Sequence, residues 1–161
     1  MSLFSRRTLL LACLPLAACA VTPAYGPKGA ARKLLGQVRV ADPSDKNAFD
    51  LVQRLEERLG SPNDARYALT YSIRTAAVGV GITAAGATTR FNLKGQVDWA
   101  LSAAGGETRL AGGTVGSFTS FAATGSTVAG LAAEEDAALR LMRILADQIV
   151  TRLIAVAADL P

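Results

Sequence analysis

Cys19 is the residue whose neighbours in the sequence predict the most definite chemistry. It closes an apolar run over residues 9–18 that ends in two alanines, and Arg6 and Arg7 precede that run. A short positive segment, a stretch too short to span a bilayer and small residues before a cysteine are typical of a bacterial lipoprotein export signal. We therefore expect cleavage before Cys19 and attachment of an S-diacylglycerol and an N-palmitoyl group to that cysteine.

Other residues offer weaker candidates for chemistry. Asp98 and Glu107 are a conceivable carboxylate pair for acid–base catalysis, and Ser117 or Ser120 a conceivable nucleophile. The chain has no histidine, which removes the commonest general base and the commonest metal ligand. No lysine forms a recognisable serine–lysine motif, and acylation of Cys19 leaves no thiol for zinc. The sequence therefore predicts a protein that is not an enzyme and has neither a metal nor a cofactor beyond its lipid.

Cleavage before Cys19 divides the chain into three parts. Residues 1–18 are predicted to be the signal peptide, residues 19–35 a lipid-anchored tether, and residues 36–161 a single domain. Removal of the leader also removes Cys13, so no disulfide can form and the core alone must hold the domain.

The leader and the residue after Cys19 also predict a destination. The pair Arg6-Arg7 fits a twin-arginine signal, but the general secretory route is favoured because nothing downstream looks like a cofactor site; both routes stay open. Ala20 is not the aspartate that commonly marks retention in the inner membrane. The sequence therefore predicts an outer-membrane protein, anchored by its lipid on the periplasmic side. A net charge of only +4 argues against binding to nucleic acid.

The elements that position these residues begin after a proline- and glycine-containing stretch that cannot hold a helix. Residues 36–41 alternate as a first strand. Ser44 is predicted to cap a helix over residues 45–59, which Gly60 ends. The apolar stripe of this helix is predicted to contain Phe49, Val52, Leu55 and Leu59.

From Arg66 onward the period of the pattern changes to two, which predicts strands. A second strand is followed by an uncharged segment rich in Gly and Ala, residues 76–87, which resembles the tip of a long hairpin. The third strand has the clearest alternation, and Gly105-Gly106 predicts the turn after it. A fourth strand over residues 108–121 contains three glycines, which predict a bulge. In the third strand the apolar set is Phe91, Leu93, Val97, Trp99 and Leu101, and the polar set is Arg90, Asn92, Lys94, Gln96 and Asp98.

A long amphipathic helix over residues 128–157 completes the pattern. The fold class predicted is an α+β two-layer sandwich, in which two amphipathic helices lie on one face of a four-stranded mixed or antiparallel sheet. The order of elements is β-α-β-β-β-α.

Short segments in this order resemble the LptE family of lipopolysaccharide-assembly lipoproteins of Gram-negative bacteria. The resemblance extends from Cys19 to the end of the sequence, and each segment alone is unspecific. The segments that carry it are residues 22–26 (TPAYG), 51–60 (LVQRLEERLG), 116–121 (GSFTSF), 132–137 (AAEEDA) and 146–153 (ADQIVTRL).

The resemblance implies a function. Members of the family enter the lumen of the outer-membrane β-barrel LptD, plug it, assist its assembly and help lipopolysaccharide to reach the outer leaflet; they are not enzymes. The uncharged tip over residues 78–87 would suit a narrow channel, although it can equally be a solvated loop. An alternative is an auxiliary lipoprotein of a periplasmic lipid transporter that binds lipid or protein without plugging a barrel.

An anionic, phosphorylated lipid would be bound by arginine or lysine side chains. Arg74, Arg90 and Lys94 are the candidate contacts for lipopolysaccharide, because the alternation places them on the polar face of neighbouring strands. The alternative is that this polar face is simply solvated.

Overall fold

The computed structural model describes residues 26, 29–62, 64–83, 86–106, 108–123 and 126–161. The predicted signal peptide, Cys19 and most of the predicted tether lie outside these residues. The elements are a 3-10 helix Ala30–Lys33, β1 Val38–Val40, α1 Lys46–Leu59, β2 Tyr67–Ile82, β3 Thr88–Ala103, β4 Arg109–Ala122 and α2 Thr127–Val156.

The four strands form one mixed sheet in the order β1-β2-β3-β4. The short strand β1 runs parallel to the start of β2, and β2, β3 and β4 are antiparallel neighbours. Both helices pack on the same face of this sheet, so the predicted fold class and order of elements are confirmed. No helix among the described residues is long and apolar enough to cross a membrane.

The core lies between this sheet face and the two helices. The alternation in β3 is confirmed, because Leu93, Val97, Trp99 and Leu101 are all buried. The indole Nε1 of Trp99 is buried and has no hydrogen-bond partner among the described residues. The α2 side chains that are fully buried in the same cluster are Leu141, Met142, Leu145, Ile149 and Leu153.

Helix α1 begins at Lys46, one residue later than predicted. Asp45, not Ser44, is the N-cap: its backbone is extended, and its Oδ1 accepts a hydrogen bond of 2.8 Å from the backbone N–H of Ala48. A carboxylate at this position also complements the helix dipole. The prediction that Phe49 lies in the apolar stripe is wrong, since Phe49 is 57% exposed and Leu51 is buried instead.

The two helices are joined by charged side chains. Arg54 donates from Nε and Nη2 to the two carboxylate oxygens of Asp147, each at 3.1 Å. These hydrogen bonds, with that to Glu57, hold the pKa of Arg54 above its ordinary value. Arg58 adds a second ion pair to Asp147 at 3.6 Å.

Part of the segment assigned to the tether packs against the domain. Leu34 is fully buried, and Lys33 Nζ donates to the carbonyl oxygen of Leu160 at 2.9 Å. These contacts fasten the beginning of the described chain beside the end of α2, next to the Tyr67 end of β2.

The glycine-rich segments are more regular than the sequence predicts. Strands β2 and β3 continue to Ile82 and from Thr88, with register shifts only near Gly79 and Gly81. The bulge expected at the β4 glycines is wrong in position, because the register shift lies between Leu101 and Ser102, opposite Ala111 and Arg109. The register is regular at Gly113, which lies beside the ring of Trp99.

Candidate lipid-binding face

The face of the sheet opposite the helices is uncovered by any described element. We call it the open face; it carries the even-numbered residues of β3 with their neighbours on β2 and β4. The register places Arg74 opposite Gln96, and Lys94 between Ala76 and Phe118. A shallow concavity of about 770 Å³ lies here, and its lining includes Arg74, Lys94, Gln96, Thr114, Gly116 and Phe118.

Arg74 is neutralised by a neighbour on the open face. Its Nη2 donates to Asp98 Oδ2 at 2.5 Å, and Thr114 Oγ1 donates to Asp98 Oδ1 at 2.5 Å. The hydrogen bond from Thr114 and the charge of Arg74 lower the pKa of Asp98. Asp98 therefore stays ionised and forms an ion pair with the guanidinium of Arg74.

Arg90 and Lys94 are accessible cations of this face, and the exposed Arg109 lies on the same face beside Gly112. The side chains of Arg90 and Lys94 are exposed, and neither makes an ion pair or hydrogen bond with the described residues. They lie four residues apart on β3, about 13 Å at 3.3 Å per residue. Phe118, directly opposite Lys94 on β4, is 60% exposed. Two free cations and an aromatic ring form a surface suited to phosphate groups beside acyl chains.

The structure brings together only part of the predicted candidate set. Arg74, Arg90 and Lys94 share the open face, but Arg74 is paired with Asp98, whereas Arg90 and Lys94 have no partner in the part of the chain that the structure describes. The sequence prediction did not include Phe118. Its aromatic side chain at a polar position of the alternating pattern could have indicated it.

The catalytic candidates do not assemble into a site. Asp98 is engaged by Arg74 and Thr114, while Glu107 lies outside the described residues. Ser120 Oγ donates to Asn92 Oδ1 at 2.6 Å, an amide oxygen that cannot serve as a general base. Among the described residues, no three acidic or cysteine side chains are grouped as metal ligands.

Solved structures share this fold. A lipoprotein from Caulobacter crescentus superposes with a TM-score of 0.67 at 22% identity, over 84% of this chain and 100% of that one. Rare lipoprotein B from Shewanella oneidensis gives 0.59 at 12% identity, over 76% and 96%. A minor lipoprotein from Acinetobacter baumannii gives 0.52 at 20% identity, over 74% and 89%.

The family comparison covers most of the domain. The model of the LptE family, described as lipopolysaccharide-assembly, matches residues 35–153. A comparison with curated proteins gives no match. The family match confirms the resemblance inferred from the short sequence segments and ties the chain to the machinery that transports lipopolysaccharide. The chain therefore belongs to the LptE family of lipopolysaccharide-assembly proteins.

Proposed function

We propose that this protein is an outer-membrane lipoprotein that plugs and helps to assemble an LptD-type β-barrel and so assists the insertion of lipopolysaccharide into the outer leaflet. The observation that carries the proposal is the LptE family match over residues 35–153. In this role the protein is not an enzyme, needs no cofactor, and is held on the periplasmic side by the lipids on Cys19.

The shape of the β2–β3 hairpin supports the role of a plug. Each strand has 16 residues, about 50 Å at 3.3 Å per residue. The last β3–β4 partners are Arg90 and Ala122, and the hairpin continues beyond them. Its end exposes apolar side chains, with Ile82 71% exposed. An uncharged end with exposed apolar side chains suits entry into the lumen of a barrel.

The open face supports contact with an anionic lipid. Arg90 and Lys94 are free to bind phosphate, and Phe118 supplies apolar surface beside them. Arg74 would first have to leave Asp98, so it contributes less than the other two cations. Lipopolysaccharide is the lipid that the family role predicts.

Affinity purification of the lipidated protein from detergent-solubilised outer membrane tests the role of plug. We expect an outer-membrane protein whose electrophoretic mobility changes on heating, as that of a folded β-barrel does. Recovery of only an inner-membrane lipid transporter would contradict the proposal and favour the auxiliary-lipoprotein alternative.

Binding of purified lipopolysaccharide tests the open face. We expect Arg90→Ala/Lys94→Ala to lower the affinity by about tenfold, as the loss of two charge-assisted contacts predicts. Arg74→Ala should have a smaller effect, and Arg143→Ala, an exposed arginine on α2, should have none. Equal affinity of the double variant and the wild type would exclude this surface.

A further inference from the structure

The sheet has one edge that is only partly covered. Strand β1 pairs with Tyr67, Ala68 and Leu69, whereas β2 continues to Ile82. Pro43 follows soon after β1, and the chain turns there into α1. More than half of β2 thus has a neighbouring strand on the β3 side only.

The hydrogen-bond register of the strands fixes which backbone groups face outward. Tyr67 N–H donates to Gln37, and Ala41 N–H donates to Leu69, so odd-numbered residues of β2 face the β1 side. Arg66 accepts from Ala104, so even-numbered residues face β3. The same parity places four consecutive outward pairs of N–H and C=O groups beyond β1. We call these the free edge: Tyr71, Ile73, Thr75 and Ala77.

No backbone hydrogen bond from the described residues reaches the free edge. Arg74 is the only charged residue in this stretch, and Asp98 holds its side chain on the open face. Charged or proline residues usually protect an exposed edge from pairing. Apart from Arg74, the free edge has neither protection along its length.

The opposite edge of the sheet, strand β4, is in contact with helix α2. On β4 the outward carbonyl of Ser120 accepts from Arg140 Nη2 at 3.4 Å. Thr119 Oγ1 donates to the Ala137 carbonyl at 2.8 Å, which binds α2 close to this strand. Helix α2 therefore engages one outward carbonyl of β4, whereas no described residue donates to or accepts from the outward backbone groups of the free edge.

A groove on the helix side adjoins the free edge at Thr75. Its floor includes Leu93 and Ala138, and its volume is about 260 Å³. Leu131 at its rim is 60% exposed. The lining residues are Lys46, Asn47, Thr75, Leu93, Leu131, Glu134, Glu135 and Ala138.

The charges at the rim of this groove are unbalanced. Lys46 is engaged by Asp50 at 3.3 Å. Glu134 and Glu135 have no ion pair or hydrogen bond with a side chain among the described residues. The rim therefore favours a cationic side chain on whatever occupies the groove.

We propose that the free edge and the groove bind an extended segment of a partner protein, which adds a strand beside β2. Outward backbone groups supply the hydrogen bonds, one apolar side chain of the segment enters the groove, and a neighbouring lysine or arginine pairs with Glu134 or Glu135. Peptide recognition by strand addition commonly combines an open edge with side-chain pockets in this way.

We infer that this segment belongs to the barrel protein, and this identification rests on the proposed function. A closed barrel has no unpaired strand edge. The segment is therefore a part of that protein outside the closed barrel wall, or a terminal strand before the wall closes.

Hydrogen exchange of the purified complex tests this binding mode without any substitution. Amides of the free edge should exchange at least about tenfold more slowly in the complex than in the isolated protein, because each gains a hydrogen-bond partner. The outward amides of β4, such as that of Gly116, serve as the internal control and should change less. Unchanged exchange at Thr75 and Ala77 in the complex would overturn the proposal.

A proline variant gives a second test. Thr75→Pro removes an outward N–H that no described residue uses, a position where an edge strand tolerates proline. It should lower the yield of co-purified barrel protein at least about fivefold, since it removes a hydrogen bond and crowds the incoming strand. Gly116→Pro makes the matched change on β4 and should retain the barrel protein.

The remaining outcomes separate this proposal from the proposed function. If the wild type fails to recover a barrel protein, both the proposed function and this partner are wrong. If Thr75→Pro folds and recovers the barrel protein as the wild type does, only the edge proposal is overturned. A concentration-dependent dimer that Thr75→Pro abolishes and Gly116→Pro retains would assign the edge to a second copy, and so would also overturn it.

Discussion

Gly95 lies where α2 comes closest to the sheet. A Cβ atom at this position would lie 2.9 Å from Leu141 Cδ2 and 3.0 Å from Leu145 Cδ1. The sequence shows only that the apolar alternation of β3 skips one position. The close approach of a helix that is far away in the sequence explains the gap.

Gly95→Val should therefore destabilise the domain by about 1–3 kcal/mol through overpacking. The measurement is the free energy of unfolding in urea. Gly116→Val is the matched control, because a Cβ there is 3.6 Å from its nearest neighbour on an exposed part of the sheet. Equal losses in both variants would show that the helix contact does not set the cost.

The lowered pKa of Asp98 predicts the direction in which the stability of the domain changes with pH. Its pKa in the folded protein is lowered from the ordinary 3.8, chiefly by the hydrogen bond from Thr114. The stabilisation is therefore present above the unfolded pKa and is lost as the pH falls through the folded pKa. The difference in unfolding free energy between the wild type and Asp98→Asn should be constant near pH 7 and shrink below pH 3.8. The exposed Asp64→Asn is the control.

Single-residue features were only partly predictable from the sequence. Gly60 ends α1 with a φ of 78°, as the predicted helix stop requires. Ser44 and Asp45 are both good caps, and the backbone angles that choose between them depend on tertiary packing. The ion pair of Arg74 with Asp98 joins two strands, so neither strand pattern alone could reveal that one of the three candidate cations is occupied.

At the scale of elements, α2 contributes a long row of buried apolar side chains to the core. Leu145 is fully buried, whereas its neighbour Ile144 is 38% exposed. Leu145→Asp would bury a carboxylate without a partner and should cost about 3–5 kcal/mol. Ile144→Asp places the same charge one residue away and should cost much less. Thermal unfolding followed by circular dichroism compares the two; similar melting temperatures would mean that α2 is packed with a different face inward.

The alternating and helical patterns predicted most elements because one face of each is buried. They failed in α1, where Phe49 satisfies the helical spacing as well as Leu51 does, and only the direction of α2 decides between them. They were also weak in the Gly/Ala-rich hairpin, since small residues give little contrast between two faces. The pairing of the two strands in this hairpin depends on the register between β2 and β3. The pattern of one strand alone does not encode that register.

At the scale of the whole molecule, the hairpin tip and the start of the described chain lie at opposite ends of β2. The first described residues pack beside Leu160 and the start of β2, while the tip lies beyond Ile82. This polarity follows from the parallel pairing of β1 with β2, which the sequence pattern did not specify.

Cys19→Ala tests the anchor directly. The variant should lack the thiol to which the diacylglycerol is attached and should accumulate as an uncleaved precursor. Metabolic labelling with radioactive palmitate, compared with Cys13→Ala as the control, measures this. Normal labelling of Cys19→Ala would refute the predicted lipidation site.

Trp99 gives the molecule an intrinsic optical reporter. It is the only tryptophan in the chain and is 4% exposed, on the buried face of β3 beside Gly113. Its emission in the folded protein should be that of an indole shielded from water, and it should move to longer wavelength when α2 separates from the sheet. The same fluorescence can be followed without a label during refolding and during association with a partner. An unchanged emission wavelength on association would indicate that the intact domain docks, and a shift to longer wavelength would indicate that docking separates α2 from the sheet.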